Sequence, residues 1–352
     1  MKVFITGGAG FIGTNAAEHY LKNGDEVVLF DNLSRNGSEA NLQYLRDSFG
    51  NNFEFVKGDI RDASDIELAL EYSSNVDRIL HLAAQVAVTT SVVDPRRDFE
   101  DNEFGTFNVV EAVRKYKDKF DINPVLIYAS TNKVYGKMED VGVVEKDRRW
   151  SFENLPCGVS ETRNLDFHSP YGCSKGAADQ RVMDAARIYG LDTIVMRQSC
   201  IYGQRQFGVE DQGWLVWFTI AQALGKQITV FGDGKQVRDV LWVNDLVNAY
   251  DLVAQNIDVT RGQVYNIGGG WKNTLSLLES FGLLETYANK KIPLNFEDWR
   301  PGDQKVCIMD ITKAKRDFGW EPKVNPSEGM LRLYRWVQRN RDEIVKYFPS
   351  KD

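Results

Sequence analysis

Short runs of β-branched residues alternate with longer amphipathic segments through the first part of the chain. Lys2–Thr6, Glu26–Asp31, Phe53–Lys57, Arg78–Leu82, Val125–Ala129 and Thr193–Arg197 read as strands. Between them, the small residues after Phe11, the stretch Ile66–Glu71, and Thr106–Val113 with its apolar Phe107, Val109, Val110 and Val113 read as crossover helices. Right-handed crossovers turn this alternation into an α/β fold with a Rossmann-type doubly wound parallel sheet. Beyond Arg197 the rhythm changes. A tryptophan-rich stretch, Trp214–Phe218, leads to the strand-like Ile228–Phe231 and the turn Gly232-Asp233-Gly234, which marks a smaller mixed α/β C-terminal domain. Val240–Ala254 reads as a helix and Gln263–Ile267 as a strand that rejoins the first sheet. The expected division is therefore discontinuous: residues 1–197 with about 239–268, and about 198–238 with 269–352.

Composition narrows the classes. A chain of 352 residues, 43% hydrophobic and 26% charged, is long enough for two lobes around one cleft and has the balance of a folded protein. Its formal charge of -7 gives no general attraction for phosphate backbones, so nucleic acid is not an expected partner, and anionic ligands need particular arginines. Cys157, Cys173, Cys200 and Cys307 are widely spaced, as are His19, His81 and His168, which argues against disulfides and against a metal site. Only Val3–Ile5 is apolar before the first glycines, too short for a signal segment or a membrane span, so a cytoplasmic location is expected.

The first chemical motif is Thr6-Gly7-Gly8-Ala9-Gly10-Phe11-Ile12-Gly13, between a strand and a helix. Its glycines admit backbone amides to a pyrophosphate at the positive helix end. A glycine-rich turn without a ligand is the plain alternative. Asp31 weighs against it: about twenty residues on, at the end of the next strand, its carboxylate is placed to accept both adenosine ribose hydroxyls. That choice favours NAD over NADP, although Arg35 lies close by in sequence. The second motif is Tyr171-Gly172-Cys173-Ser174-Lys175, where a four-residue spacing sets Tyr171 and Lys175 on one helix face. An ammonium there is expected to lower the phenol pKa and hold the nicotinamide ribose, leaving Tyr171 able to take a hydroxyl proton.

Taken together, in this order, the motifs resemble the extended short-chain dehydrogenase/reductases along nearly the whole chain. The resemblance implies that Gly7, Gly10, Phe11, Ile12, Gly13, Asp31, Asn32, Asp59, Ile60, Leu82, Ala83 and Ala84 hold NAD together with Tyr171 and Lys175. It gives Asn102 a supporting role and, by spacing from Val134-Tyr135-Gly136, makes Thr131 the catalytic hydroxyl beside Tyr171 and Lys175. Dehydratases of the family usually carry Asp-Glu after that threonine; this chain has Asn132-Lys133, which cannot do paired carboxylate work at neutral pH. Decarboxylating members tend to have glutamate where Lys133 stands. Epimerisation remains. Three stretches, Ser130–Gly136, Gly158–Gln180 and Tyr202–Trp214, resemble members that exchange configuration at C2 of a CDP-linked 3,6-dideoxyhexose with NAD retained.

For substrate binding the resemblance points to Thr131, to Gln206 with Trp214, and to Arg238 and Arg300 as a pyrophosphate clamp. Without it, Arg238 would be read as a partner of Asp239 and Arg300 as a surface residue. Cys200 stands where many relatives have asparagine. Two other readings stay open: a UDP-hexose 4-epimerase, and a non-catalytic NAD-binding regulator. Family members commonly form homo-oligomers, dimers or tetramers, through helices of the first domain, and Thr106–Val113 is a candidate face.

Overall fold

The computed structural model describes residues 1–210, 212–300 and 303–348. Five of the runs form β1 (Lys2–Thr6), β2 (Glu26–Asp31), β3 (Phe53–Lys57), β4 (Arg78–His81) and β5 (Val125–Thr131). With Thr193–Gln198 and Val264–Ile267 they build a seven-stranded parallel sheet in the order Val264–Ile267, Thr193–Gln198, β5, β4, β1, β2, β3. The strands are rich in apolar residues because both faces are covered. Val3, Ile5, Leu29, Leu80 and Ile127 lie in one core with α1 (Phe11–Lys22) and the helix Val243–Gln255. Phe4, Val28, Ile79, Leu126 and Tyr128 lie in the opposite core, packed with the helices Ala63–Ser73, Gly105–Phe120 and Ser169–Tyr189. Sheet order reverses at β1, which opens the crevice beyond its carboxyl end.

The sequence pattern misplaces several boundaries. Leu82 is not part of β4; its amide turns to Thr6 Oγ1 at 3.2 Å. The segment read as one helix, Val240–Ala254, is split between the strand Val237–Trp242 and the helix Val243–Gln255. Strand pairing decides this: Val237–Trp242 is laddered to Cys200–Tyr202, Thr274–Ser276 and Val306–Cys307, and those partners are distant in sequence. Val264–Ile267 does rejoin the large sheet, parallel to Thr193–Gln198. The helix α2 (Ser38–Phe49) was not anticipated at all. The tryptophan-rich stretch is a helix, Trp214–Leu224, whose Leu215, Val216, Phe218 and Ile220 enter a separate core with Phe281, Leu333 and Val337. No helix among the described residues is long and apolar enough to cross a membrane.

Candidate active site

β1 delivers the chain into a tight turn that leaves no room for side chains. Gly7 has φ +68°, and a Cβ there would stand 2.7 Å from the Ala83 amide nitrogen. At Gly13 a Cβ would meet the Gly7 carbonyl oxygen at 2.3 Å. α1 starts directly after Gly10, whose position offers no side-chain cap, so the first-turn amides at Phe11 and Ile12 are available to an anion. The buried Asp31 carboxylate ends β2 against this turn, accepting from the Ala9 amide at 3.1 Å and the Leu33 amide at 2.7 Å, and burial raises its pKa. Asn32 donates to Asp59 at 3.0 Å; Asp59 also accepts from the Arg61 guanidinium, which holds it well below the usual carboxylate range. Ile60 is buried beside them. Leu82 and Ala83 pass beneath the turn with both amides on Thr6 Oγ1, and Ala84 follows. The glycine cradle, with Asp31 bonded to its Ala9 amide and Leu82 and Ala83 packed beneath it, fits a dinucleotide pyrophosphate.

The helix Ser169–Tyr189 carries Tyr171 and Lys175 on its buried face, and β5 ends at Thr131. Thr131, Tyr171 and Lys175 are 7%, 8% and 3% exposed, so all three are largely shielded from bulk water. Tyr171 is pushed up to about 12 by burial, against a hydrogen bond from the Thr131 hydroxyl that pulls it down. The Lys175 ammonium donates to the Ala129 carbonyl at 2.6 Å and sits 4.2 Å from the Tyr128 ring centroid. Burial brings Lys175 down to about 7, opposed by the carboxylates of Asp179 and Asp98. The exposed Arg35, after β2, adds a smaller lowering of the Tyr171 phenol.

Sequence reasoning named Asn102 but missed most of the polar groups that fix this helix. Asp98 accepts from Ser174 Oγ at 2.5 Å and from Gln85, and Asn102, in a π-helical turn at Glu100–Phe104, donates to both Asp98 and Ser174. On the next turn Asp179 takes both arms of the Arg197 guanidinium at 2.9 Å and the Ser130 hydroxyl at 2.7 Å. Arg197 also donates to Tyr135, which donates to Asn266. Sequence reasoning gave Asp98, Asp179 and Arg197 no role; only their tertiary partners give them meaning. His81 is a buried neutral group, brought down to about 3 by burial and bonded to Thr6 and Thr106.

On the far side of Thr131, Asn132 donates to Ser199 Oγ and Cys307 Sγ, at 3.4 and 3.3 Å, and the Lys133 ammonium reaches Gln304 at 3.5 Å. The strand Val237–Trp242 brings Arg238 level with Cys307 and sets Cys200 opposite Val240. Arg238 does not pair with Asp239; it donates to the Gln304 carbonyl at 2.7 Å and to Asp303 at 2.5 Å. Arg300 lies 3.9 Å over the Phe231 ring, at the end of the neighbouring strand Ile228–Phe231. Burial raises the Cys200 thiol, against a hydrogen bond with Trp214. Gln206 is half-buried, close to Gly213, and its Oε1 has no hydrogen-bond partner among the described residues.

A family model described as GDP-mannose 4,6 dehydratase matches residues 4–333. The chain belongs to that family. It is 47% identical to a CDP-paratose 2-epimerase from Salmonella typhi over 96% of this chain and 99% of that protein. It is 34% identical to a dTDP-glucose 4,6-dehydratase from Salmonella typhimurium, covering 97% and 93% of the two chains. Among solved structures, a dTDP-glucose 4,6-dehydratase from Streptomyces venezuelae with NAD bound superposes with a TM-score of 0.82 at 27% identity, over 99% of this chain and all of that one. The family and the Rossmann-type sheet expected from the motifs are both those of the molecule.

Proposed function

We propose that the chain is an NAD-dependent epimerase that interconverts CDP-paratose and CDP-tyvelose at C2 of the sugar. The observation that carries this is the end of β5: a buried Thr131–Tyr171 hydroxyl pair followed by Asn132 and Lys133 rather than two carboxylates. Asn132 is engaged by Ser199 and Cys307, so this wall of the site supplies no acid–base pair for removing water from the sugar. The similarity to the Salmonella typhi 2-epimerase supports the same reading and the choice of sugar.

In this reading the glycine turn, Asp31, Asn32, Asp59, Ile60 and Leu82–Ala84 hold NAD, and Tyr171 and Lys175 complete its site. The buried Asp31 carboxylate at the end of β2 would repel a 2'-phosphate, which favours NAD over its phosphorylated form. Bound NAD supplies a hydride acceptor that returns the hydride within one catalytic cycle. Tyr171 takes the proton of the sugar hydroxyl, Thr131 holds the same oxygen, and Lys175 fixes the position of the site through its bond to Ala129. Return of the proton from Tyr171 after the keto sugar has turned gives the epimer. Arg238 and Arg300 bind the diphosphate, with Gln206 and Trp214 beside the nucleotide sugar. Residues 1–197 and about 239–268 form the cofactor lobe, the remainder the substrate lobe. A cytoplasmic homo-oligomer fits the exposed Phe99, Phe104 and Phe107, which gather at the π-helical turn and the start of the following helix.

The test is proton NMR of the purified protein with CDP-tyvelose and, separately, CDP-paratose, without added NAD. Both substrates reach one equilibrium mixture if the reading is right, and Tyr171→Phe slows the approach by about 10³-fold. Unchanged sugar spectra reject the substrate, and the same assay with UDP-hexoses then addresses epimerisation at C4.

A further inference from the structure

A second cleft, of about 600 Å³, lies outside the site described above. Its walls come from α2, the loop at Gln204-Arg205, the start of the helix Val243–Gln255 and the helix Pro326–Arg339. Arg205, Arg332, Arg335 and Arg339 line it with Tyr44 and Trp336, and no lining residue is acidic. In a chain whose formal charge is -7 this is a concentrated positive region. Glu343 and Glu328 neutralise Arg205 and Arg332 from outside the lining, whereas Arg335 and Arg339 have no ion pair among the described residues.

The cleft is built, not merely lined. Arg205 has φ +64°, a left-handed backbone that a side-chain-bearing residue keeps only when its surroundings hold it. Two buried asparagines do so: Asn41 donates to the Arg205 carbonyl at 3.1 Å, and Asn15 to the Gln204 carbonyl at 3.0 Å. That backbone lays the Arg205 guanidinium 3.7 Å over the Tyr44 ring, with the side chain 11% exposed. The Trp336 ring centroid lies 6.0 Å from the same guanidinium.

We propose that this cleft is a binding site for a nucleoside polyphosphate, separate from the NAD and sugar-nucleotide sites. Its volume falls in the range of about 300–1,000 Å³ usual for small-molecule sites and far exceeds what a free phosphate fills. Guanidinium forks meet phosphate oxygens in bidentate fashion, and aromatic and guanidinium faces accept a stacked base of any identity. Arg335 and Arg339 take the phosphates; Trp336 and the Tyr44–Arg205 stack take the base.

The experiment is calorimetric titration of ATP into the protein in excess NAD, which occupies the adenosine site of the cofactor crevice. One ATP per chain is expected. In R335Q/R339Q affinity falls at least tenfold, and in R335E/R339E binding is lost. Both residues are exposed, so the thermal midpoint and the NAD content stay at wild-type values. Absence of binding to the wild-type protein, or equal binding by the variants, overturns the site. Inorganic triphosphate binding as tightly as ATP overturns the nucleoside part, because the rings would then contribute nothing.

Discussion

Burial acts on Tyr171 and Lys175 in opposite directions, raising the phenol to about 12 and bringing the ammonium down to about 7. Both therefore lean on charges that sequence spacing did not reveal. Asp98 raises both groups, so Asp98→Asn moves both toward lower pKa. The pH profile of kcat shifts toward acid in that variant, measured by NMR turnover at saturating substrate; a profile that stays in place refutes the coupling. Tyr171, Lys175 and Thr131 were legible as candidate site residues from motif and helical spacing. Arg35, Asp98 and Asp179 were not, since each is defined by a partner dozens of positions away. Lys175 shows the limit of spacing arguments: four residues put two side chains on one face, but the carbonyl of Ala129 decides where the ammonium goes.

Among the elements, the strand–turn–helix at β1, Gly7–Gly10 and α1 tolerates little. Gly13→Ala pushes a methyl group into the Gly7 carbonyl, a backbone atom that cannot swing aside. The variant should lose about 1–3 kcal/mol of stability in denaturant titrations, and most of its NAD on gel filtration. Retention of both would show that the turn adapts. The strands of the large sheet were readable because an apolar run covered on both faces leaves a continuous signal. The strand Val237–Trp242 was not: its three partners are distant, and its apolar residues run without a break into the helix Val243–Gln255. α2 escaped notice although Leu42, Leu45 and Phe49 follow a helical spacing, because polar residues such as Asn41, which serves the tertiary structure, interrupt its apolar face.

For the molecule as a whole, buried charges govern both cohesion and pH response. Asp179 and Arg197, 0% and 4% exposed at their side chains, tie the helix Ser169–Tyr189 to the sheet. Asp179→Ala leaves the guanidinium buried without its carboxylate and should cost about 3–5 kcal/mol, read from urea unfolding. Asp239 behaves differently. Burial raises its carboxyl to about 7, against hydrogen bonds from Ser199 and Gly270. Between its unfolded value, near 3.9, and about 7, the folded chain holds a proton that the unfolded chain has released. Stability from the protonated group is complete below that window and is lost as pH rises through 7. Asp239→Asn, which cannot ionise, should flatten this part of the stability curve; an unchanged slope assigns it to other groups.

The seventh strand of the large sheet, Val264–Ile267, is made long after the neighbour it covers, Thr193–Gln198. At translation speeds of about 5–20 residues per second, the nascent chain carries an unpaired apolar sheet edge for some seconds. During that interval the emerging smaller lobe, or a chaperone, has to shield the edge from neighbouring nascent chains. Ribosome stalling between those two segments therefore exposes this protein to aggregation more than stalling elsewhere.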